Sequence, residues 1–149
     1  MVSNPYQAYA PKQKVNNDRV GDFIAHYFEE ACAHMRKATD AIRNNDIETR
    51  YVESQQAATI IRGLASGLKC ESKDQEQVVQ VQHDYYASMI SGITRVNVNN
   101  DADLCSQIAD SFAEMAKGWR QAAVQYATET EAPAEPDAQN SEKTTNVSA

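Results

Sequence analysis

The stretch that decides the fold is residues 20–42, VGDFIAHYFEEACAHMRKATDAI. Its apolar side chains recur every three or four positions, the interval at which residues share one face of an α-helix. They are Val20, Phe23, Ile24, Tyr27, Phe28, Ala31, Met35, Ala38 and Ile42. This spacing predicts a first helix over residues 18–44, capped by Asn17 or Asp18. Its apolar face must pack against other elements.

Three more helical patterns follow along the chain. Residues 47–68, 76–98 and 102–128 each repeat apolar side chains at the same interval. Asn/Asp-rich turns separate the first helix from the second and the third from the fourth; Asp46 is the expected cap of the second helix, and the turn that ends at Asp101 is expected to cap the fourth. The β-branched residues at 78–81 would also suit a strand, but the spacing that continues through Val96 favours a helix. Four such helices with short connections predict an all-α fold, an antiparallel up-down four-helix bundle.

The prolines mark where the helical region stops. They lie at positions 5, 11, 133 and 136, and residues 12–132 contain no proline. We therefore expect an extended N-terminal arm over residues 1–17, a bundle over 18–128 and a disordered acidic tail over 129–149. The tail has almost no apolar side chains, so burial could not offset the entropy lost on ordering it.

Composition excludes several function classes. The formal net charge is −7, and no long run of Lys or Arg offers a footprint for phosphates, so nucleic-acid binding is not expected. No stretch approaches the roughly 18 apolar residues of a membrane span, and the N-terminus lacks an apolar signal core. The three cysteines, widely spaced, are typical of reduced, packed side chains. They are Cys32, Cys70 and Cys105. These features favour a cytoplasmic protein without membrane insertion.

Candidate chemistry is sparse. His26, Glu30 and His34 fall at i, i+4 and i+8 and could line one strip of the first helix as a partial metal site. The strip lies to the side of the apolar face, so an ordinary polar face is favoured over a metal-binding bundle. No Gly-x-Ser-x-Gly or phosphate-binding glycine loop occurs. The sequence therefore predicts no enzyme, metal or cofactor.

Two pairs of residues invite a binding interpretation. Tyr6 and Tyr9 lie on the polar arm, where aromatic rings have no reason to occur unless they dock on the bundle or in a partner-binding groove. Gly63 and Gly67 lie inside the second helical pattern, where each glycine costs up to about 1 kcal/mol relative to alanine. They indicate either a fraying helix end or a place where another backbone comes close.

Several segments together resemble one known family. They are Asn-Pro-Tyr-Gln-Ala-Tyr at 4–9, ACAHMRKATDAIRNNDI at 31–47, the apolar run Ala57, Ile60, Ile61 and Leu64, then Tyr86, the turn at 96–101, and Trp119. In this order they are similar to the flagellar secretion chaperone family, FliS, over about residues 4–125. The chain departs from the family pattern at Glu30, where the family has glycine, and at Ala87 and Ser88 in the third helix.

The resemblance implies a cytosolic export chaperone. Such a protein would bind the disordered C-terminal segment of flagellin, prevent premature polymerisation and deliver flagellin to the type III export apparatus. Export-apparatus components or a co-chaperone are further candidate partners. The implied flagellin-binding residues are Tyr6, Gln7, Tyr9, Ile60, Leu64, Tyr86, Ile93 and Asn97. Phe23, Ile61 and Trp119 are expected to be scaffold. The departures at Glu29 and Glu30 leave open an alternative, a divergent bundle with another flagellar or secreted client, or a regulator.

Overall fold

The computed structural model describes the backbone of residues 17–130 and the side chains of residues 19–125. This part of the chain contains four α-helices and no strand. They are α1 (Asn17–Arg43), α2 (Ile47–Gly67), α3 (Lys73–Asn99) and α4 (Ala102–Thr130). The all-α prediction is confirmed; α3 begins three residues earlier than expected and α4 ends two residues later. Apart from Asn17 and residues 129–130, the predicted arm and tail lie outside the described residues.

The helices form a closed ring of neighbours. Each helix packs on the next one along the chain, and α4 packs back on α1, which gives the antiparallel up-down bundle. The contact between α1 and α4 is the most extensive of the four. The Cys105 thiol of α4 lies 3.4 Å from the Met35 carbonyl of α1, so the small cysteine side chain lets these two helices approach closely.

An aromatic cluster fills the centre. The ring of Phe28 lies 6.3 Å from Tyr85, 6.1 Å from Tyr86 and 6.0 Å from Phe112, centroid to centroid. The cluster therefore joins α1, α3 and α4 through ring contacts of the kind that stabilise cores beyond simple area burial. The Tyr85 hydroxyl lies 2.8 Å from the Ser111 hydroxyl. Burial raises the pKa of Tyr85.

The scaffold prediction holds for two of its three residues. Ile61 and Trp119 are buried in the core, but Phe23 is 61% exposed, so the prediction for Phe23 is wrong. The apolar periodicity of α1 does place Phe23 on the side of the helix that faces α2. However, the facing end of α2 carries Gly63 and Gly67, which have no side chains to cover the ring.

Two turns at one end of the bundle share a structure. Asn45 and Asn100 adopt the left-handed backbone conformation, with φ of 58° and 53°, which asparagine tolerates better than most residues. The next residue of each turn caps the following helix. Asp46 Oδ1 accepts the amide of Thr49, and Asp101 Oδ1 accepts the amide of Leu104, both at 3.0 Å. The predicted caps of α2 and α4 are thus confirmed, whereas Asn17, one of the two predicted caps of the first helix, is itself the first residue of α1.

An ionic cluster ties α4 to α1 on the outside of the bundle. Arg120 donates through Nε and Nη2 to the two carboxylate oxygens of Glu29, at 2.8 and 2.9 Å, and through Nη1 to Asp22 at 3.2 Å. The hydrogen bond from Arg120 lowers the pKa of Glu29. A bidentate interaction of this kind, with two hydrogen bonds from one guanidinium to one carboxylate, is more directional than an ordinary surface ion pair.

This cluster predicts a specific acid response. Because the folded pKa of Glu29 lies below its ordinary value of 4.5, the pair stabilises the fold above that value and is lost as the pH falls through the folded pKa. We expect Glu29→Gln to lower the melting temperature at about pH 6, and we expect the difference from the native protein to shrink as the pH falls through the folded pKa of Glu29. Thermal melts across pH measure this. Glu114→Gln is the control, since Glu114 contacts Lys117 on its own helix. Equal pH profiles for the two variants would contradict the prediction.

Candidate functional site

An apolar groove lies between the first half of α1 and the second half of α2. Its volume is about 470 Å³, within the range of small-ligand and peptide sites. The lining residues are Val20, Phe23, Ile24, Tyr27, Thr59, Ile60, Gly63, Leu64 and Gly67. All belong to the described helices, so the groove is built on regular backbone.

Two aromatic rings form its α1 wall. Phe23 and Tyr27 lie one turn apart on α1, and they are 61% and 45% exposed. Ile24, between them in sequence, is 3% exposed and connects the wall to the core. A patch of large apolar side chains that are exposed to water often marks an interaction site, whereas a single exposed apolar side chain needs no such explanation.

The α2 side is recessed because of its glycines. A Cβ added at Gly63 would meet nothing within 4 Å, so no described part of the chain approaches it. The helix continues regularly through Gly63 to Gly67, and Gly63 therefore does not mark a frayed end. The missing side chains open the groove, while Ile60 and Leu64 give it an apolar floor.

The chemistry of the groove suits an apolar ligand. Among the residues that the structure describes, none of those that line it is charged. The Thr59 hydroxyl donates to the carbonyl of Gln55 at 2.9 Å and is thus satisfied within its own helix. Burying an unpaired charge or polar group here would be unfavourable, whereas the apolar face of an amphipathic helix would find matching surface.

The structure separates the predicted binding residues into three groups. Ile60 and Leu64 line the groove. Tyr86 and Ile93 are each 1% exposed and belong to the core, so neither offers surface to a partner in this packing. Asn97 donates to the Ser54 hydroxyl at 2.8 Å and links α3 to α2. Tyr6, Gln7 and Tyr9 lie outside the described residues.

The α1 wall, formed by Phe23 and Tyr27, was not predicted from the sequence to be a binding surface. Phe23 was expected in the core, and Tyr27 was grouped with the same stripe. A signal was present in the chain: an aromatic pair at i, i+4 on one helix and a glycine pair at i, i+4 on the next. Only contact between the two helices shows that these pairs face the same groove.

The histidines of α1 do not converge on one site. His26 Nε2 lies 3.3 Å from Glu30 Oε1, whereas His34 Nδ1 lies 2.5 Å from Glu53 Oε2 of α2. Among the described side chains, no three His, Cys, Asp or Glu residues are grouped so as to hold a metal ion. The residues of the predicted strip thus form two separate contacts. His26 lies near Glu30 on the surface of α1, whereas His34 contacts Glu53 and links α1 to α2.

The cysteines differ in environment. Cys105 is buried, its thiol contacts the Met35 carbonyl at 3.4 Å, and burial raises its pKa, as is usual for an unreactive thiol. Cys32 is half-buried, but Cys70 is exposed in the connection after α2, so the expectation that it is packed is wrong. The helical spacing of the apolar residues ends before Cys70.

Within residues 17–130, no helix combines the length and apolar character needed to cross a membrane. A small four-helix bundle with an open apolar groove between two helices belongs to the class of proteins that can hold an apolar helical segment. Two comparisons with known proteins show which family the chain resembles. The family model described as "Flagellar protein FliS" matches residues 2–126. The flagellar secretion chaperone FliS of Bacillus subtilis (strain 168) is 24% identical over 121 residues, which cover 81% of this chain and 87% of the relative.

The chain belongs to the FliS family. The family resemblance read from the sequence is thereby confirmed, and both comparisons support a chaperone role.

Proposed function

We propose that this protein is a cytosolic export chaperone that binds the C-terminal segment of flagellin. The observation that carries the proposal is the uncharged apolar groove, bounded by exposed aromatic rings, on a member of the FliS family. By covering apolar anchors of its client, the chaperone would prevent premature polymerisation. It would then deliver flagellin to the flagellar type III export apparatus.

The groove supports recognition of a helix that orders on binding. Phe23, Tyr27 and Leu64 offer apolar surface, and Gly63 lets a helix lie close to α2. A client segment that is disordered before assembly loses conformational entropy when it binds, and burial of its apolar face offsets that loss. The role is therefore binding, with no catalytic step.

The two carboxylates that motivated another client have structural roles. Glu29 pairs with Arg120 of α4, and Glu30 lies near His26 on its own helix. Neither lines the groove. Their presence therefore does not alter the chemistry of the apolar site, and flagellin is preferred to a different secreted client or a regulatory role.

Native mass spectrometry of the chain co-expressed with flagellin tests the proposal. We expect a stoichiometric complex that is lost when the last roughly 40 residues of flagellin are deleted, a helical length of about 60 Å if fully ordered. Flagellin truncated at its N-terminus is the matched control and should still bind. A complex that survives the C-terminal deletion, or recovery of a different secreted protein without flagellin, would overturn the proposal.

The N-terminal arm provides a second test of the binding site. We expect Tyr6→Ala combined with Tyr9→Ala to weaken flagellin binding, because two aromatic anchors are removed, while the helical content stays unchanged. Calorimetric titration and circular dichroism measure the two quantities. Ala8→Ser, between the tyrosines and outside the implied binding set, is the control for disturbance of the arm. Native affinity in the double variant would remove the arm from the site.

A further inference from the structure

Arg50 of α2 is a buried cation at the turn end of the bundle, which is the end that holds the turns 44–46 and 99–101. Among the described side chains, residues 19–125, it is the only charged one that is buried, with 9% exposed. Its Nη1 donates to Asn100 Oδ1 at 2.7 Å. Its Nε is also buried, and no described residue accepts a hydrogen bond from it. The guanidinium is therefore only partly satisfied.

Among the residues that the structure describes, no carboxylate forms an ion pair with Arg50. By contrast, Arg36 and Arg120 lie at the surface and both pair with carboxylates of another helix. The aspartates of the two adjoining turns cap helices instead. A buried guanidinium without a counter-charge is unfavourable, because nothing offsets its loss of hydration.

The connection between α2 and α3 does not require this charge. One turn further along α2, Ser54 accepts a hydrogen bond from Asn97 Nδ2 at 2.8 Å, which is a neutral link between the two helices. Asn100 Oδ1 would likewise accept from a neutral amide such as that of glutamine. A structural link therefore explains the contact with Asn100 but not the buried charge.

Exposed apolar side chains flank Arg50. Ile47 and Tyr51 lie three residues before it and one residue after it, and Ile47 is a one-turn neighbour of both. These two side chains are 61% and 55% exposed. Val98, two residues before Asn100, is 76% exposed. The turn end thus combines exposed apolar surface, of the kind that often marks an interaction site, with an unpaired cation.

This surface is distant from the groove. Ile47 is the first residue of α2, and Gly67, which lines the groove, is the last. The helical rise separates the two residues by about 30 Å. A segment that fills the groove therefore leaves the turn end open to a second protein.

We propose that the turn end is a second binding surface, and that its partner is a protein segment that presents a carboxylate between apolar side chains. The carboxylate supplies the counter-charge that Arg50 lacks, and a guanidinium binds carboxylates strongly through paired hydrogen bonds. Arg50 keeps some contact with solvent, so the carboxylate reaches it from the surface. A protein segment is preferred to a free anion, because only the segment also covers Ile47, Tyr51 and Val98. The surface is separate from the proposed flagellin site, and its role goes beyond that function.

Two matched peptides test the proposal, N-acetyl-Leu-Glu-Leu-amide and its neutral counterpart N-acetyl-Leu-Gln-Leu-amide. We expect the glutamate peptide to bind the native chain about tenfold more tightly, since a hydrogen bond to a charged group is worth about that factor. NMR titration at constant ionic strength, followed at the Tyr51 backbone amide, measures both affinities. Equal affinities of the two peptides would overturn the proposal.

Arg50→Met should remove the preference for glutamate, because methionine fills the same space without the charge. If this variant does not fold, Arg50→Lys, which keeps the charge but not the planar guanidinium, should reduce the preference. Arg62→Met is the matched control at an exposed position of the same helix and should keep it. An unchanged preference in the Arg50 variants would contradict the proposal.

Two further measurements identify the occupant. A full chain in which the acidic residues of 131–142 are changed to amides should bind the glutamate peptide with native affinity; much tighter binding would show that the chain's own tail occupies the site and would overturn a partner protein as the occupant. Arg50→Met should also bind flagellin with native affinity. A loss would assign the turn end to the client and overturn the second surface, whereas failure of the peptide test leaves the proposed flagellin site intact.

Discussion

Replacing Phe28 with alanine is expected to lower the free energy of unfolding by about 3–5 kcal/mol, as measured for large-to-small changes of buried aromatic residues. Phe28 is fully buried and contacts the rings of Tyr85, Tyr86 and Phe112. Its removal leaves a cavity where α1, α3 and α4 meet. Domains of this size are stable by only about 5–15 kcal/mol, so the variant should be near its limit at physiological temperature.

Phe23→Ala is the matched control. It makes the same chemical change on the same helix, but at a side chain that is 61% exposed, and surface substitutions usually change stability by about 0.5 kcal/mol or less. Urea denaturation of the two variants, with equal slopes in denaturant, measures the difference. Equal losses of stability would show that Phe23 is a core residue after all.

The second large effect is expected on binding. Gly63→Glu places a carboxylate in the groove, where a bound helix would cover it without a partner for its charge. Burying an unpaired charge costs several kcal/mol, and each 1.4 kcal/mol, approximately, is a factor of ten in affinity. We therefore expect flagellin affinity to fall at least about a hundredfold. Calorimetric titration with flagellin measures the loss.

Gly118→Glu, on α4 and outside the groove, is the matched control. Gly118 is also helical, and its surroundings are equally open, so the new side chain adds the same charge and a similar gain in helix propensity of roughly 0.5–1 kcal/mol. Both variants should be at least as stable as the native protein, and only Gly63→Glu should lose the client. Native affinity for Gly63→Glu would exclude the groove as the binding site.

The helices themselves were predictable from local pattern. The first helix was placed within one residue at each end because apolar spacing and the Asn-Asn-Asp turn act over a few residues. The same holds for the caps at Asp46 and Asp101. The start of α3 was missed by three residues, since the polar run from Lys73 lacks apolar periodicity, although it carries acidic residues suited to a first turn.

The site was only partly predictable. Of the predicted binding residues, Ile60 and Leu64 line the groove, whereas Tyr86 and Ile93 lie in the core. A helical stripe shows which side chains lie on the inner side of a helix. It does not show how far the neighbouring helix covers them, because that depends on side chains that are distant in sequence.

The amino-acid sequence by itself determined the number of helices, their turns and the apolar face of each, because these depend on interactions within a few residues. The tertiary structure alone decided which apolar residues remain open. Phe23 and Tyr27 face the glycines of α2 and stay exposed, whereas Phe28 meets the rings of Tyr86 and Phe112 and is buried together with them. Exposure is a property of two facing surfaces, so it becomes defined only when the helices pack.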